Sequence, residues 1–227
     1  MTNQREEIAT CSQVTKYYKK GEFTVTALKR ACLSLFSGEL VAVTGPSGSG
    51  KSTLLNVLGL LDAPSDGELH LFGEACHSMS RNEKQSMRRR YMGFVFQNFN
   101  LLPVLSAVEN VELSLYGLSL SKTKMREAAI AMLAKVGLEQ RAYHYPSELS
   151  GGQQQRVGIA RALVHNPKLV MADEPTANLD SETASQIVQL MRKLAHEQGT
   201  TFLVSSHDAR LMSKVDRTFS LTDGVLM

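Results

Sequence analysis

Gly45-Pro46-Ser47-Gly48-Ser49-Gly50-Lys51-Ser52, with Thr53 beside it, fits the pattern G-x-x-x-x-G-K-[ST]. The apolar run Leu40-Val41-Ala42-Val43 ahead of it suits a buried strand, and Leu54, Leu55, Leu58 and Leu61 behind it fall at helical spacing. Strand, turn and helix are the context that makes this pattern a phosphate-binding loop. Gly45, Gly48 and Gly50 let the backbone curl without Cβ clashes, so successive N–H groups and a helix N-terminus point at phosphate oxygens. Lys51 adds a mobile positive charge, and Ser52 offers its hydroxyl to a Mg2+ held between terminal phosphates.

A nucleotide site needs acidic partners, and Asp173-Glu174 closes the apolar strand Leu169-Val170-Met171-Ala172. The carboxyl end of a strand is where ligands of open α/β sheets bind. Phosphoryl transfer to water needs one carboxylate near the metal and one to polarise the attacking water; Asp173 is assigned to the first task and Glu174 to the second. Pro175 ends the strand. A second glycine-rich stretch, Leu149-Ser150-Gly151-Gly152-Gln153, precedes Val157, Ala160, Leu163 and Val164 at helical spacing, so it reads as another helix N-terminus suited to a γ-phosphate. Two phosphate-facing elements are more than one nucleotide easily explains.

The remaining composition narrows the class. The chain has 227 residues, 43% of them hydrophobic, enough for one large domain or two small ones with a real core. A net charge of +3 gives no ground for nucleic acid or an anionic membrane surface as partner, and the run Arg88-Arg89-Arg90 reads as solvated surface. Three cysteines, Cys11, Cys32 and Cys76, are widely spaced and form no C-x-x-C pair, which argues against a disulfide framework or a zinc site and for a reducing compartment. The polar segment Met1 to Glu7 has no apolar signal core, and no apolar stretch approaches the roughly 20 residues of a spanning helix. Any membrane part is therefore expected on another chain.

Along the chain, Ile8 to Tyr18 and Phe23 to Phe36 predict two short antiparallel strands broken at Lys19-Lys20-Gly21, and Gly67 to Gly73 is expected to join that sheet. Met92 to Phe96 predicts a core strand leading into Gln97. From about Phe99 to Leu149 the pattern turns helical, with Met125, Ala128, Ala129, Met132 and Val136 on one face and Gly137 as the cap. Strand character returns at Leu169 to Ala172 and Phe202 to Val204, separated by a helix with Ala184, Ile187, Val188, Met191 and Leu194 on its apolar face. Alternating strand and helix implies a mainly parallel sheet in one composite domain with lobes.

In their order these motifs resemble the ATP-binding subunit of an ABC transporter over nearly the whole chain. Gly45 to Ser52 resembles the Walker A loop, Gln97 the Q-loop glutamine, Leu149 to Gln153 the signature motif, Leu169 to Glu174 the Walker B strand, Asn178-Leu179-Asp180 the D-loop and His207 the switch histidine. Tyr18 corresponds to the aromatic residue that stacks on adenine, with Tyr17 the alternative. Phe94 to Pro103, Leu149 to Ala162 and Asp173 to Asp180 are similar to the LolD-like, MacB-like and FtsE-like ATPases. Ala177 and Ser206 depart from the usual Gly and Thr without removing a charged or metal-binding group.

The resemblance implies an α/β fold: a P-loop (RecA-like), mainly parallel core sheet with an antiparallel β-subdomain and a helical insertion. Residues 1–98 and 150–227 would form the nucleotide-binding core with the β lobe, and 99–149 the helical lobe. It implies an ATPase that powers a separate membrane permease, for export or lipoprotein extraction; the alternative is a soluble ABC ATPase in assembly or regulation. ATP and Mg2+ are the implied cofactors. Two chains would pair head to tail around two ATP, the signature of one completing the Walker A site of the other. Within that site the resemblance gives Lys51, Glu174, His207 and Gln97 to catalysis, with His207 on the γ-phosphate. Ser52, Asp173 and Gln97 go to the metal, and Ser150 to Gln153 with Asp180 to the nucleotide across the dimer. Leu101 to Leu105 is either the seat of the permease's cytoplasmic helix or core packing. The expected location is peripheral, on the cytoplasmic face of the inner membrane, with room for a periplasmic or adaptor subunit.

Overall fold

A computed structural model describes residues 6–21, 23–207 and 213–227. The polar stretch Met1 to Arg5 lies outside the described residues. Among the described residues there are two sheets. The first is antiparallel, in the order β2 (Phe23–Phe36), β1 (Glu7–Lys20), β4 (Asp66–Leu71), β5 (Glu74–Ala75). Its two long strands each run 14 residues, so Lys19 and Lys20, expected to break the pattern, belong to β1; only Gly21, at φ 63°, leaves it. Left-handed residues Gln13 and Arg30 mark irregularities at which the β1–β2 register shifts.

The second sheet contains β3 (Leu40–Thr44), β6 (Met92–Val95), β7 (Leu169–Asp173), β8 (Thr201–Ser206), β9 (Arg217–Thr222) and β10 (Val225–Leu226), in the order β10-β9-β3-β8-β7-β6. All its pairings are parallel except β10 with β9. Parallel strands covered on both faces should read as continuous apolar runs, and Leu40 to Val43, Leu169 to Ala172 and Phe202 to Val204 do, with polar residues only at the strand ends. Leu40, Ala42, Val170, Ala172, Phe202 and Val204 enter one core, while Val41, Val43, Leu169, Met171 and Leu203 enter the other. The first core packs against α3 (Ala107–Glu112), α4 (Lys122–Lys135), α5 (Gly151–Leu163) and α6 (Ser181–Gln198); the second packs against α1 (Lys51–Leu58) and the antiparallel sheet.

One local expectation changes, and one element is added. The apolar spacing carries α1 to Leu61, but the helix ends at Leu58. The amide of Leu60, at φ 55°, donates to the Val57 carbonyl and that of Leu61 to Asn56, which is the Schellman geometry that closes a helix and turns Leu61 out, 52% exposed. The segment before Met92, to which the sequence assigned no element, is α2 (Arg81–Tyr91), opened by a capping box of Ser80 and Glu83. Its arginine run is solvated at Arg89 and Arg90, whereas half-buried Arg88 donates to the Leu60 carbonyl at 2.7 Å. The cap at Gly137 is as read: φ is 75°, and Leu138 donates to Leu133 across it.

Candidate active site

Because β3, β7 and β8 run parallel in adjacent register, their carboxyl ends lie along one edge of the sheet. Thr44 pairs with Ser206, and Asp173 with Ser205. Residues far apart in sequence, the loop after Thr44, Glu174 after Asp173 and His207 after Ser206, are thereby brought to one place. A cavity of about 920 Å³ opens there, lined among others by Ser47, Gly48, Ser49, Gly50, Lys51, Ser52, Thr53, Gln97, Glu174 and His207.

The loop's shape follows from what surrounds it. A Cβ on Gly45 would stand 2.0 Å from the Leu221 carbonyl oxygen, and one on Gly50 would stand 2.3 Å from that of Ala27, so β9 and β2 exclude any side chain there. The Gly50 N-cap supplies no side-chain acceptor to α1, which leaves the helix's first N–H groups directed at the cavity. Ser49 is buried with an unpartnered hydroxyl. Uncapped amides, an orphaned hydroxyl and a cradle without side chains fit a polyphosphate.

Lys51 is 8% exposed, and its ammonium donates to the carbonyls of Gly45 and Pro46 at 2.8 and 3.0 Å, 3.8 Å from Glu174 Oε1. The Ser52 hydroxyl donates to Asp173 Oδ1 at 3.1 Å, so the two oxygens assigned to a metal already share one spot. Ser205 also donates to Asp173 Oδ1, at 2.6 Å, and accepts from the Glu174 amide at 2.9 Å. Glu174 sits at φ 46°, a left-handed conformation costing a non-glycine residue on the order of 1 to 3 kcal/mol. His207 Nδ1 meets Glu174 Oε2 at 2.9 Å from a ring that is 67% exposed. Gln97 follows β6, beside β7, and its carbonyl accepts from the Asn178 side chain at 3.1 Å.

Other expected site residues stand apart from the cavity. Ser150 is the N-cap of α5, its hydroxyl accepting from the Gln153 amide while Gln153 Oε1 accepts from the Ser150 amide. Neither they nor Gly151 and Gly152 line the cavity of their own chain. A Cβ on Gly152 would lie 2.4 Å from Thr183 Cγ2, so α5 and α6 meet at their N-termini. Asp180 caps α6, accepting from the amides of Glu182 and Thr183; hydrogen bonds from Thr183, chiefly, hold its carboxyl below the usual range. Tyr18 is outside the cavity lining but beside it, with its hydroxyl donating to Asp62 at 2.8 Å. Burial pushes the Cys11 thiol up to about 12 and Cys76 to about 11, so neither presents a thiolate.

Sequence reading missed part of the wall. Val25, Thr26, Ala27 and Lys29 from β2, and Asp223 and Gly224 from the β9–β10 turn, line the same cavity. The Gly224 amide donates to the Ser49 carbonyl at 3.0 Å and its carbonyl accepts from Lys29 at 2.7 Å, tying the turn to the loop. The Asp223-Gly224 pair was the available signal, as a tight turn between two short β-prone runs.

A phosphate loop after one strand, an acidic pair after another, and a third strand between them define a P-loop ATPase with an antiparallel β lobe and a helical insertion. Residues 28–177 match the family model described as ABC transporter, and the chain belongs to that family. It is 47% identical over 215 residues to the uncharacterized ABC transporter ATP-binding protein MJ0796 of Methanocaldococcus jannaschii, covering 93% of this chain and 92% of that one. It is 45% identical to the lipoprotein-releasing system ATP-binding protein LolD of Francisella tularensis, covering 96% and 95%. Among solved structures it is similar to MJ0796 as a dimer in a post-hydrolysis state bound to ADP and Pi, with a TM-score of 0.88, 45% identity and 96% of each chain covered. It is also similar to cbiO1 of Clostridium perfringens, part of the ABC transporter complex cbiONQ, with a TM-score of 0.88, 28% identity and 98% and 87% covered. The chain is an ATP-hydrolysing subunit of the ABC transporter family.

Proposed function

We propose that this chain drives a separate membrane permease that extracts or exports a lipoprotein-type substrate, working as a head-to-tail dimer on the cytoplasmic face of the membrane. What carries the subfamily assignment is the full-length likeness to LolD, at 41% identity over 226 residues for the Shewanella frigidimarina protein and 45% for the Francisella tularensis one. Among the described residues no helix is long and apolar enough to cross a membrane, which fits a peripheral subunit. A periplasmic or adaptor subunit would complete the assembly. Residues 99–149 are taken as the lobe that meets the permease, on a core made of 1–98 and 150–227.

Within the site, the amides of Gly48 to Ser52 and the Lys51 ammonium would hold the phosphates. Ser52, Asp173 and Gln97 would hold Mg2+, which when bound offsets charge on the terminal phosphates. Glu174 would orient and deprotonate the attacking water, its carboxylate fixed by His207 and its backbone by Ser205. His207, Glu174's neighbour and mostly exposed, is free to turn toward a γ-phosphate. Tyr18 rather than Tyr17 is taken as the adenine platform, because the Tyr18 side chain is tied to the segment following α1, whereas Tyr17 meets it only through its backbone amide. The signature residues Ser150 to Gln153 would act on the partner's nucleotide.

Purification from detergent-solubilised membranes tests the coupling. An integral membrane protein should co-purify in fixed ratio with this chain, and recovery of the chain free of any membrane protein would contradict it. Glu174→Gln tests the chemistry: steady-state hydrolysis should fall at least about a hundredfold with ATP binding retained. Normal turnover would remove Glu174 from its role.

A further inference from the structure

The adenine end of the site carries a feature that phosphate chemistry does not explain. Asp62 follows the Schellman turn that closes α1, and its two carboxylate oxygens are divided between two residues of β1. Oδ1 accepts from the Lys16 ammonium at 2.6 Å and Oδ2 from the Tyr18 hydroxyl at 2.8 Å. Lys16 also donates to the Ala63 carbonyl at 2.8 Å, and its ammonium lies 4.9 Å from the centroid of the Tyr18 ring. Lys16 is 11% exposed at its side chain, so this ion pair is more than a surface contact. Thr53, two residues into α1, lines the cavity.

Lys16 and Tyr18 are two residues apart on one strand and so share a face, while Tyr17 points to the other. A tyrosine with a free hydroxyl would turn about two side-chain torsions. Here the oxygen is tethered and one ring face is covered by a cation, a favourable arrangement for an aromatic quadrupole. Tyr18 remains 40% exposed, which leaves area for a planar partner. Burial works to raise the Asp62 carboxyl, but the hydrogen bonds from Lys16, Tyr18 and the Ala63 amide outweigh it and hold it low, so it is an anion at neutral pH.

We propose that Asp62, together with Lys16, is the positioning group for the nucleobase platform: the carboxylate fixes the Tyr18 hydroxyl, the ammonium covers one ring face, and the other face is presented to the adenine of ATP. The proposal rests on the reading of Tyr18 as that platform. Since Asp62 ends the segment that begins with the phosphate loop, base and phosphate subsites are registered to each other through α1.

The test compares ATP with inorganic tripolyphosphate, which has the phosphates but no base, by titration of the full chain in the presence of Mg2+. Asp62→Ala should weaken ATP about threefold to tenfold, the range of one aromatic contact, and leave tripolyphosphate within about twofold. In hydrolysis KM for ATP should rise with kcat little moved. On a Tyr18→Ala background the Asp62 change should add less than about twofold. Asp62→Asn, which keeps an oxygen for the phenol, should recover part of the loss and serves if the alanine variant folds poorly. Equal weakening of both ligands, or an undiminished Asp62 effect without the ring, would overturn the proposal. If Tyr18→Ala weakens ATP and neither Asp62 variant does, positioning by Asp62 alone is refuted. Unchanged ATP affinity in Tyr18→Ala would refute the platform and the proposal with it.

Discussion

Lys51 is almost wholly removed from solvent, yet its ammonium is paired with carbonyls of its own loop rather than closely with a carboxylate. A cation held that way is positioned for an anion entering the loop. Lys51→Ala should therefore weaken ATP binding itself, by about tenfold to a hundredfold, the range for losing a charge-assisted hydrogen bond. Titration of ATP checks this, and unchanged affinity would remove the residue from phosphate binding. One rationale, freedom to curl, covers Gly45, Gly48 and Gly50 in the sequence. In the fold the three differ: Gly48 faces open space and needs only its φ of 78°, whereas Gly45 and Gly50 are forced by carbonyls of Leu221 and Ala27. Those neighbours belong to strands whose adjacency no local pattern encodes. Ser205 escaped notice for the same reason, since its hydroxyl gains meaning only when β8 enters between β3 and β7.

Among elements, strands read well where burial on both faces makes a continuous apolar run, as in Leu40 to Val43 of β3, Leu169 to Ala172 of β7 and Phe202 to Val204 of β8. Polar elements read poorly. Helix α2 buries only Met87, so it carries almost no apolar periodicity and was signalled solely by its Ser80–Glu83 capping box. The β9–β10 turn is small and polar, yet it braces the phosphate loop. The segment after α5 offers a pH test. His165 is partly buried, hydrogen-bonded through Nε2 to the Met92 carbonyl at 2.9 Å, with Nδ1 buried and unpartnered. Burial, the larger influence, pulls its pKa below the ordinary value. The unfolded chain therefore binds a proton at about pH 6.5 that the fold still refuses. Stability from this group is complete above that pH and falls as pH drops below it, by as much as ~1.4 kcal/mol per pH unit. Denaturant melts at pH 7.5 and 5.5 should show the loss, and His165→Gln should flatten it; an equal slope in that variant would contradict the assignment.

For the whole molecule, the sequence contains two glycine-rich helix N-termini that read as phosphate sites, and the fold places them on different helices, α1 and α5. The cavity gathers Walker A, Walker B, Gln97 and His207 from one chain. The signature is held elsewhere, locked by its own capping box and packed on α6. Position along the chain could not reveal this division, because both motifs read as phosphate sites with equal force. The solved MJ0796 relative is a dimer bound to ADP and Pi. If a second chain completes each site, the mass of the Glu174→Gln variant in solution must depend on the nucleotide bound. Light scattering after size exclusion should give a monomer with ADP and a dimer with saturating ATP. Adding Ser150→Phe, a bulky side chain at the signature, should abolish the ATP-dependent dimer. A monomer at saturating ATP, or a dimer indifferent to the Ser150 change, would contradict it.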